Sequence, residues 1–353
     1  MILNIRNLNK ITFLFTMSNI LVTGGTGFIG VPLVKKLHQL GHNLKLLVRE
    51  SSNTAPFKEL SNIKYVTGDV QDINSLEKAV DNIDIIYHLA ATTQIWAKDK
   101  SIYEEINIKG PENIAEVALE KNILLIFISS FFAIGPYNCG EDIPDFETYE
   151  RNIDYFIDYE KSKSEGTKNI RKYKEKGLKT IIFYPGFVYG PGDLNFYGKL
   201  TIDIILGKLL GIPKTSVSKF SMAYVYDIIE PMANVISRDD LIGEEYFLGG
   251  EAATTIEYLN LIAEFAGVKK PRQFPLLFAL FYGRLCEIRA KLSKNRIPYI
   301  TRPLMKMATY DWAYSSQKTI DDLGYKITPF REGLEKTVEW YKEYIEKGKK
   351  EGV

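Results

Sequence analysis

The chain has 353 residues, of which 45% are hydrophobic and 25% charged, enough to build a substantial core in one large α/β unit or two joined domains. A net charge of +1 leaves no strong field for nucleic acid or an anionic membrane. Two distant cysteines, Cys139 and Cys286, and three scattered histidines, His38, His42 and His88, exclude a disulfide framework, predict no metal site and fit a cytoplasmic protein.

Residues 1–17 read as a disordered leader, with Met17 as an alternative start. The apolar run Ile11 to Phe15 is too short for a secretory signal and no cleavage site follows it. No apolar run reaches the ~18 residues of a membrane span.

The run Asn19 to Val22 leads into Thr23-Gly24-Gly25-Thr26-Gly27-Phe28-Ile29-Gly30, and a helical pattern covers Phe28 to Leu40. Strand, glycine turn and helix in that order let a backbone approach a pyrophosphate, so Gly24, Gly27, Phe28, Ile29 and Gly30 are expected cofactor contacts. Leu44 to Val48 is the second strand and ends at Arg49, about twenty residues after the turn, where the adenosine ribose lies. A guanidinium there pairs with a 2′-phosphate and predicts NADP over NAD, the alternative being a solvated arginine. Lys64 to Thr67 is the third strand. Asp69, beside Val70, is placed to accept from the adenine amine. Ile83 to Leu89 is the fourth, and the small side chains of Leu89-Ala90-Ala91 let a cofactor lie flat over the sheet edge.

Ile123 to Ile128 and Thr180 to Tyr184 are strands five and six. Helical patterns at Asn74 to Val80, Ser101 to Glu120 and Tyr155 to Lys176 fall between strands. Near-continuous apolar strands alternating with helices predict a doubly wound parallel sheet of the Rossmann type over residues 18–185, with ligand at the strand C-terminal ends. Residues 186–345 read as a smaller substrate-binding region, with strand-like pieces at 221–226 and 245–248 returning to the main sheet. Pro275 to Leu292 is apolar, but Arg284, Glu287, Arg289 and Lys291 form no single basic face. It therefore reads as a buried helix, with a lid or weak peripheral membrane contact as the alternative.

Strand five runs into Ser129-Ser130, and the next helix carries Tyr159 and Lys163, four apart and on one face. An ammonium beside a phenol favours the phenolate, moving it down from about 10 and making a general acid/base, while Ser130 holds the substrate oxygen. A second Tyr-x-x-x-Lys, Tyr314 to Lys318, lacks this setting and reads as chance.

Taken together, the glycine turn, Leu89-Ala90-Ala91, Ser129-Ser130, Tyr159 with Lys163, and Tyr184 to Asp193 resemble an extended short-chain dehydrogenase/reductase of the NAD-dependent epimerase/dehydratase superfamily, over about residues 19–341. Thr92 to Ala97, Asn107-Ile108-Lys109-Gly110, Tyr310-Asp311-Trp312 and Leu323-Gly324-Tyr325 are most similar to its dihydroflavonol-reductase-like group, which includes hopanoid-associated sugar epimerases. The resemblance implies that Tyr159 is the catalytic acid/base and that Lys163 also binds the nicotinamide ribose. It implies that Ser130, or Ser129 nearby, positions the substrate oxygen, that Asn107 supports the site through water, and that Pro185 and Val188 flank the carboxamide. It further implies a homodimer through helices 101–120 and 155–176.

Relatives acting on nucleotide sugars carry an Arg where this chain reads Phe220-Ser221-Met222, and Tyr184 replaces an Arg or Asn before Pro185. Thr93, Trp96, Phe131, Phe132, Phe187, Tyr189 and Phe196 are expected pocket walls suited to a flat or lipid-like carbonyl compound, with core filling as their alternative. The expected function is NADP- or NAD-dependent reduction of a ketone or aldehyde, or oxidation of a secondary alcohol, on a mid-sized, fairly apolar small molecule. The rivals are a nucleotide-sugar epimerase or dehydratase with tightly bound NAD, and a non-catalytic NADP-binding sensor or scaffold.

Overall fold

Short apolar strands that end in turns and are followed by amphipathic helices can satisfy their backbone groups only by pairing side by side, and here they do so in parallel. The computed structural model describes residues 17–209, 211–214, 218–292, 298 and 300–351. Apart from Met17, the expected leader lies outside them.

The first half runs β1 (Asn19–Thr23), α1 (Gly30–Gln39), β2 (Asn43–Val48), β3 (Ile63–Thr67), α2 (Ile73–Ala79) and β4 (Ile85–His88). It continues with α3 (Ser101–Tyr103), a π-helical turn (Glu104–Lys109), α4 (Gly110–Glu120), β5 (Leu124–Ile128), α5 (Phe131–Ile134), β6 (Tyr137–Asn138), α6 (Asp158–Glu175) and β7 (Thr180–Pro185). The second half holds β8 (Phe187–Tyr189), α7 (Phe196–Ile205), β9 (Gly211–Pro213), β10 (Lys219–Tyr224), α8 (Val225–Asn234), β11 (Glu245–Leu248), β12 (Ala252–Thr254) and α9 (Thr255–Ala266). It closes with β13 (Arg272–Phe274), α10 (Leu276–Leu292), α11 (Arg302–Met307), β14 (Tyr310–Asp311), α12 (Gln317–Leu323) and α13 (Phe330–Glu351).

The main sheet has seven parallel strands in the order β11-β7-β5-β4-β1-β2-β3. Side chains alternate across it. Ile20, Val22, Ile126 and Phe183 share one core with Leu33, Leu37, Ile228 and Met232, from α1 and α8. Leu21, Leu125 and Phe127 share the other with Leu76, Ile114 and Ile170, from α2, α4 and α6. Strand order reverses direction between β1 and β4, which opens a crevice at their C-terminal ends.

Of the two strand-like pieces expected to return, β11 pairs with β7 at the sheet edge. The other does not return. Residues 219–224 form β10, which pairs in parallel with β8 and antiparallel with β12 in a separate three-stranded sheet. The edge beside β7 is already taken by β11, and the chain after Pro185 turns at Gly186 into β8. A Cβ on Gly186 would sit 2.5 Å from the Ser221 carbonyl oxygen, so only glycine allows the two strands to approach.

The expected burial of the 275–292 helix is also corrected. In α10 the small residues Ala279, Gly283 and Ala290 face inward, while Leu277, Phe278, Phe281, Tyr282, Leu285, Ile288 and Leu292 are exposed. Close seating is the reason: a Cβ on Gly283 would lie 3.3 Å from the Arg302 nitrogen, leaving no depth for large side chains on that side.

The expected helix over 101–120 contains the π turn, and α6 crosses it at Gly166, where a Cβ would fall 2.1 Å from the Asn107 carbonyl oxygen. Gly166→Ala is expected to cost about 1–3 kcal/mol by overpacking. Urea unfolding of the two proteins, read at matched m-value, measures it.

Candidate active site

The glycine turn is shaped by close backbone approach. Gly24 has φ +72°, and a Cβ there would lie 2.6 Å from the Ala90 nitrogen; one on Gly30 would lie 2.3 Å from the Gly24 oxygen. The turn closes with the Gly27 N–H donating to the Gly24 carbonyl at 3.0 Å. Helix α1 starts with no side-chain cap, so its N-terminus offers backbone donors and positive dipole to an anion. These features fit a dinucleotide pyrophosphate.

From the turn runs a groove of about 620 Å³ along the sheet's C-terminal edge. It is lined by Gly24, Gly27, Phe28, Ile29, Gly30, Arg49, Asp69, Val70, Leu89, Ala90, Ala91, Pro185 and Val188, and by Thr93, Ser130, Phe131, Phe132, Tyr159, Lys163, Phe187 and Phe196. Three expected site residues lie elsewhere. Tyr189 is buried against Tyr224, Tyr258 and Phe330, because α9 and α13 supply Tyr258 and Phe330, which enclose its ring at the end of β8. Trp96 stands half-buried in the loop after β4, outside the groove lining, since the chain there has already left the sheet edge. Asn107 lies behind the wall.

Asn107 is fully engaged by neighbouring protein groups. Its side chain accepts from the Thr92 N–H at 2.8 Å and donates to the Thr92 carbonyl at 3.0 Å and to Ser162 Oγ at 2.9 Å. It thereby ties the loop after β4 to α6. The two serines after β5 separate cleanly. Ser129 Oγ bonds Thr167 Oγ1 at 2.6 Å and so anchors α6. Ser130 caps α5 by accepting from the Phe132 N–H at 3.3 Å, which leaves its own proton for the Tyr159 phenol.

Lys163 Nζ donates to the Ile128 carbonyl at 3.1 Å and lies 5.5 Å from the centre of the Phe127 ring. The expected downward shift of the phenol is not what the structure holds. Burial pushes Tyr159 up to about 12, opposed by the Ser130 hydrogen bond, and burial brings Lys163 down to about 8. Desolvation outweighs the neighbouring charge because both groups are enclosed by apolar walls. Below them, burial and then the Lys163 charge hold His88 neutral, and its Nδ1 meets Thr23 Oγ1 at 2.9 Å.

A buried ion pair sets the N-terminus of α6. The Arg151 guanidinium donates to Glu160 Oε1 at 2.7 Å and to the Phe132 carbonyl at 2.9 Å, and Glu160 accepts from the Phe156 N–H at 2.8 Å. The pair joins the segment carrying Ser130 to the helix carrying Tyr159. The second Tyr-x-x-x-Lys is structural: the Tyr314 hydroxyl donates to the Gly135 carbonyl and Lys318 pairs with Glu147 and Glu244.

Beyond Phe187 the groove meets a second, mostly apolar chamber of about 110 Å³ that sequence reasoning missed. The two share Phe196, Tyr197, Phe220 and Met307, and the chamber is completed by Leu200, Leu209, Ile212, Leu259, Leu304 and Met305. Its residues come from α7, β9, β10, α9 and α11, and each segment alone carries the apolar spacing of ordinary core. The one available signal was Phe220, standing where relatives acting on nucleotide sugars carry an Arg. Among the described residues, no group of three His, Cys, Asp or Glu side chains is placed to hold a metal ion.

The NAD dependent epimerase/dehydratase family model matches residues 20–249, and the chain belongs to that family. It is 26% identical to a putative dihydroflavonol 4-reductase of Synechocystis sp., over 92% of this chain and 94% of the relative. It is 23% identical to sterol demethylase protein B of Methylococcus capsulatus, over 92% and 98%. The solved structure of gox2253 superposes with a TM-score of 0.78 at 28% identity, covering 93% of this chain and 98% of that one. The protein is thus an NAD(P)-dependent oxidoreductase of the extended short-chain dehydrogenase/reductase type.

Arg151→Met strands the Glu160 carboxylate in the interior. The expected cost is about 3–5 kcal/mol at neutral pH. Burial already raises the Glu160 pKa, so the cost should shrink as falling pH protonates it. Unfolding curves of both proteins at several pH values check the size and the sign.

Proposed function

We propose that this chain is a reductase, acting with NADP on a ketone or aldehyde carried by a mid-sized apolar molecule. The observation that carries the reading is Tyr159, held as a neutral phenol that accepts from Ser130 at the point where the cofactor groove meets the apolar chamber. A nicotinamide in the groove supplies the hydride. The glycine turn and the α1 N-terminus would hold the pyrophosphate, Arg49 would meet the adenosine end, and Pro185 and Val188 would wall the nicotinamide end.

With substrate present, the Ser130 hydroxyl turns its one proton from the phenol to the substrate oxygen, and Tyr159 Oη gives that oxygen a proton as charge develops there. A phenol raised to about 12 is in its donor form throughout the neutral range. Lys163, on the same helix face, provides a positive charge against the phenolate left behind, and below about pH 8 it remains an ammonium. The aromatic walls exclude water from the oxygen being protonated and strengthen each of these interactions.

Substrate class follows from the walls. Phe131, Phe132, Phe187 and Phe220 present rings to the groove, and Phe220 opens onto the chamber. Among the described residues that line the chamber, none is the bidentate cation that a nucleotide diphosphate wants. The dihydroflavonol reductase and sterol demethylase protein named above are consistent with an alicyclic or aromatic carbonyl compound. A nucleotide-sugar epimerase is less well supported for the same reason. A non-catalytic role would leave a satisfied Ser130–Tyr159 pair without use.

Tyr159→Phe is expected to cut carbonyl reduction by about 10²–10⁴ while leaving NADPH affinity within a few-fold, because only the proton donor is lost. Stopped-flow NADPH absorbance and a fluorescence titration read the two quantities; equal loss in both would refute the assignment. The wild-type rate is expected to decline as pH rises through about 8, where Lys163 loses its charge. Arg49→Glu is expected to weaken NADPH binding by about tenfold or more with little change for NADH, since the lost partner is a 2′-phosphate. Paired titrations with the two cofactors decide it, and parallel changes would assign Arg49 to solvent.

A further inference from the structure

Helix α10 has the opposite polarity from an ordinary surface helix. At 100° per residue, Leu277, Phe278, Phe281, Tyr282, Leu285, Ile288 and Leu292 fall in one continuous stripe, and all are exposed, Leu277 by 81% and Phe281 by 64%. The inward side is made of Ala279, Gly283 and Ala290 seated on the segment leading into α11. Seven large apolar side chains in a row exceed the scatter of single exposed residues found on most proteins.

The charges are sorted as well. Glu287 turns inward, accepts from the Arg302 N–H at 2.7 Å and pairs with the Arg302 guanidinium. Arg284 and Arg289 stay exposed at the two edges of the stripe. The strand leading into the helix adds exposed Arg272, and Lys214 is exposed at the end of the paired strand β9. Phe274 packs edge-on against Phe278 with ring centres 5.5 Å apart, which joins strand and helix into one surface. An apolar stripe edged by cations, with no outward acid, is complementary to an anionic lipid interface. A second copy of the chain would bring like-charged edges together with no carboxylate to offset them. No helix among the described residues is long and apolar enough to cross a membrane, so the fit is to the surface.

We propose that α10 docks the protein on an anionic bilayer surface, its apolar stripe among the acyl chains and Arg284 and Arg289 at the headgroups. The helix rests on α11, and Leu304 and Met305 of α11 line the apolar chamber. If the reductase reading holds, docking also places that chamber next to the phase in which an apolar carbonyl compound dissolves.

The test is co-sedimentation of the full chain with vesicles of equimolar phosphatidylglycerol and phosphatidylcholine, and with phosphatidylcholine alone. The wild type should partition onto the mixed vesicles, less so at high salt. The triple variant Leu277→Asn, Phe281→Asn, Leu285→Asn should lose about tenfold or more of that partitioning. Arg284→Gln with Arg289→Gln should reduce the preference for the anionic vesicles. Unchanged thermal melting and NADPH binding show that the variants are folded. A wild type that stays in the supernatant, or a triple variant that partitions equally, overturns the proposal. So does a dimer in light scattering that the triple variant dissociates, which would name a second copy as the occupant. Failure to reduce a water-soluble ketone would count against the reductase reading and leave the vesicle result standing.

Discussion

The geometry of the candidate site depends on how α6 is seated against the C-terminal end of the sheet. Few large apolar side chains are available to hold it: the buried residues of this helix are Tyr159, Glu160, Ser162, Lys163, Ser164, Gly166, Thr167 and Ile170. Directional polar ties do the holding. Ser129 meets Thr167, Asn107 meets Ser162, the Ile128 carbonyl receives Lys163, and Arg151 meets Glu160. The ties reach three different segments, the end of β5, the π turn and the loop before α6, so translation or rotation of the helix would break several at once. Apolar packing tolerates small sliding, whereas buried hydrogen bonds left unmade are costly. A helix whose task is to place one hydroxyl benefits from the second kind of constraint. The π turn belongs to the same arrangement, because it lets the Asn107 side chain reach Thr92 and Ser162 while its carbonyl lies against Gly166.

That seating also fixes the chemistry. Enclosure moves the two titrating groups apart, the phenol up to about 12 and the ammonium down to about 8. Both shifts favour the neutral form, and for a proton donor the neutral phenol is the useful one. Phe132 packs edge-on to Tyr159 with ring centres 5.5 Å apart, and Trp312 packs edge-on to Phe132 at 5.1 Å. The walls that make the groove apolar therefore also keep the phenol neutral, so the lining and the protonation of Tyr159 are set by one layer of side chains.

Much of the sheet was legible in the sequence because the periodicity of buried parallel strands is local, and Gly24 and Gly30 are needed for contacts a few residues away or across one strand. The Tyr159–Lys163 pair was legible for the same reason, one helical turn being a local distance. The sign of its pKa shift was not, because desolvation depends on Phe127, Phe132 and Trp312, which arrive from three other segments. Tyr189 and Phe187 differ by two positions from the same motif and would share a face in an ideal strand, yet only the packing of α9 and α13 reveals which ring is enclosed. The apolar chamber was invisible because five elements each contribute a few residues that read as core. Strand β10 was misplaced because a strand's sequence states that it needs partners without stating which.

Helix α10 shows the limit of averaging. Over the whole chain, charge nearly cancels, and over residues 275–292 acids and bases are mixed, so neither scale reveals a polarised surface. The decisive fact is stereochemical: Gly283 and Ala279 permit a close approach on one side, and that approach dictates which way Phe278, Phe281 and Leu285 must point. Once they point outward, Glu287 is carried inward to Arg302, and the two arginines at the edges are left as the outward charge. Apolar exposure and positive charge are thus consequences of a single packing choice rather than two separate features. The inward side of the same helix rests on α11, whose Leu304 and Met305 line the apolar chamber. Groove, apolar chamber and outward helix are thus successive neighbours, and the facing of the helix is set by where small residues allow backbones to meet.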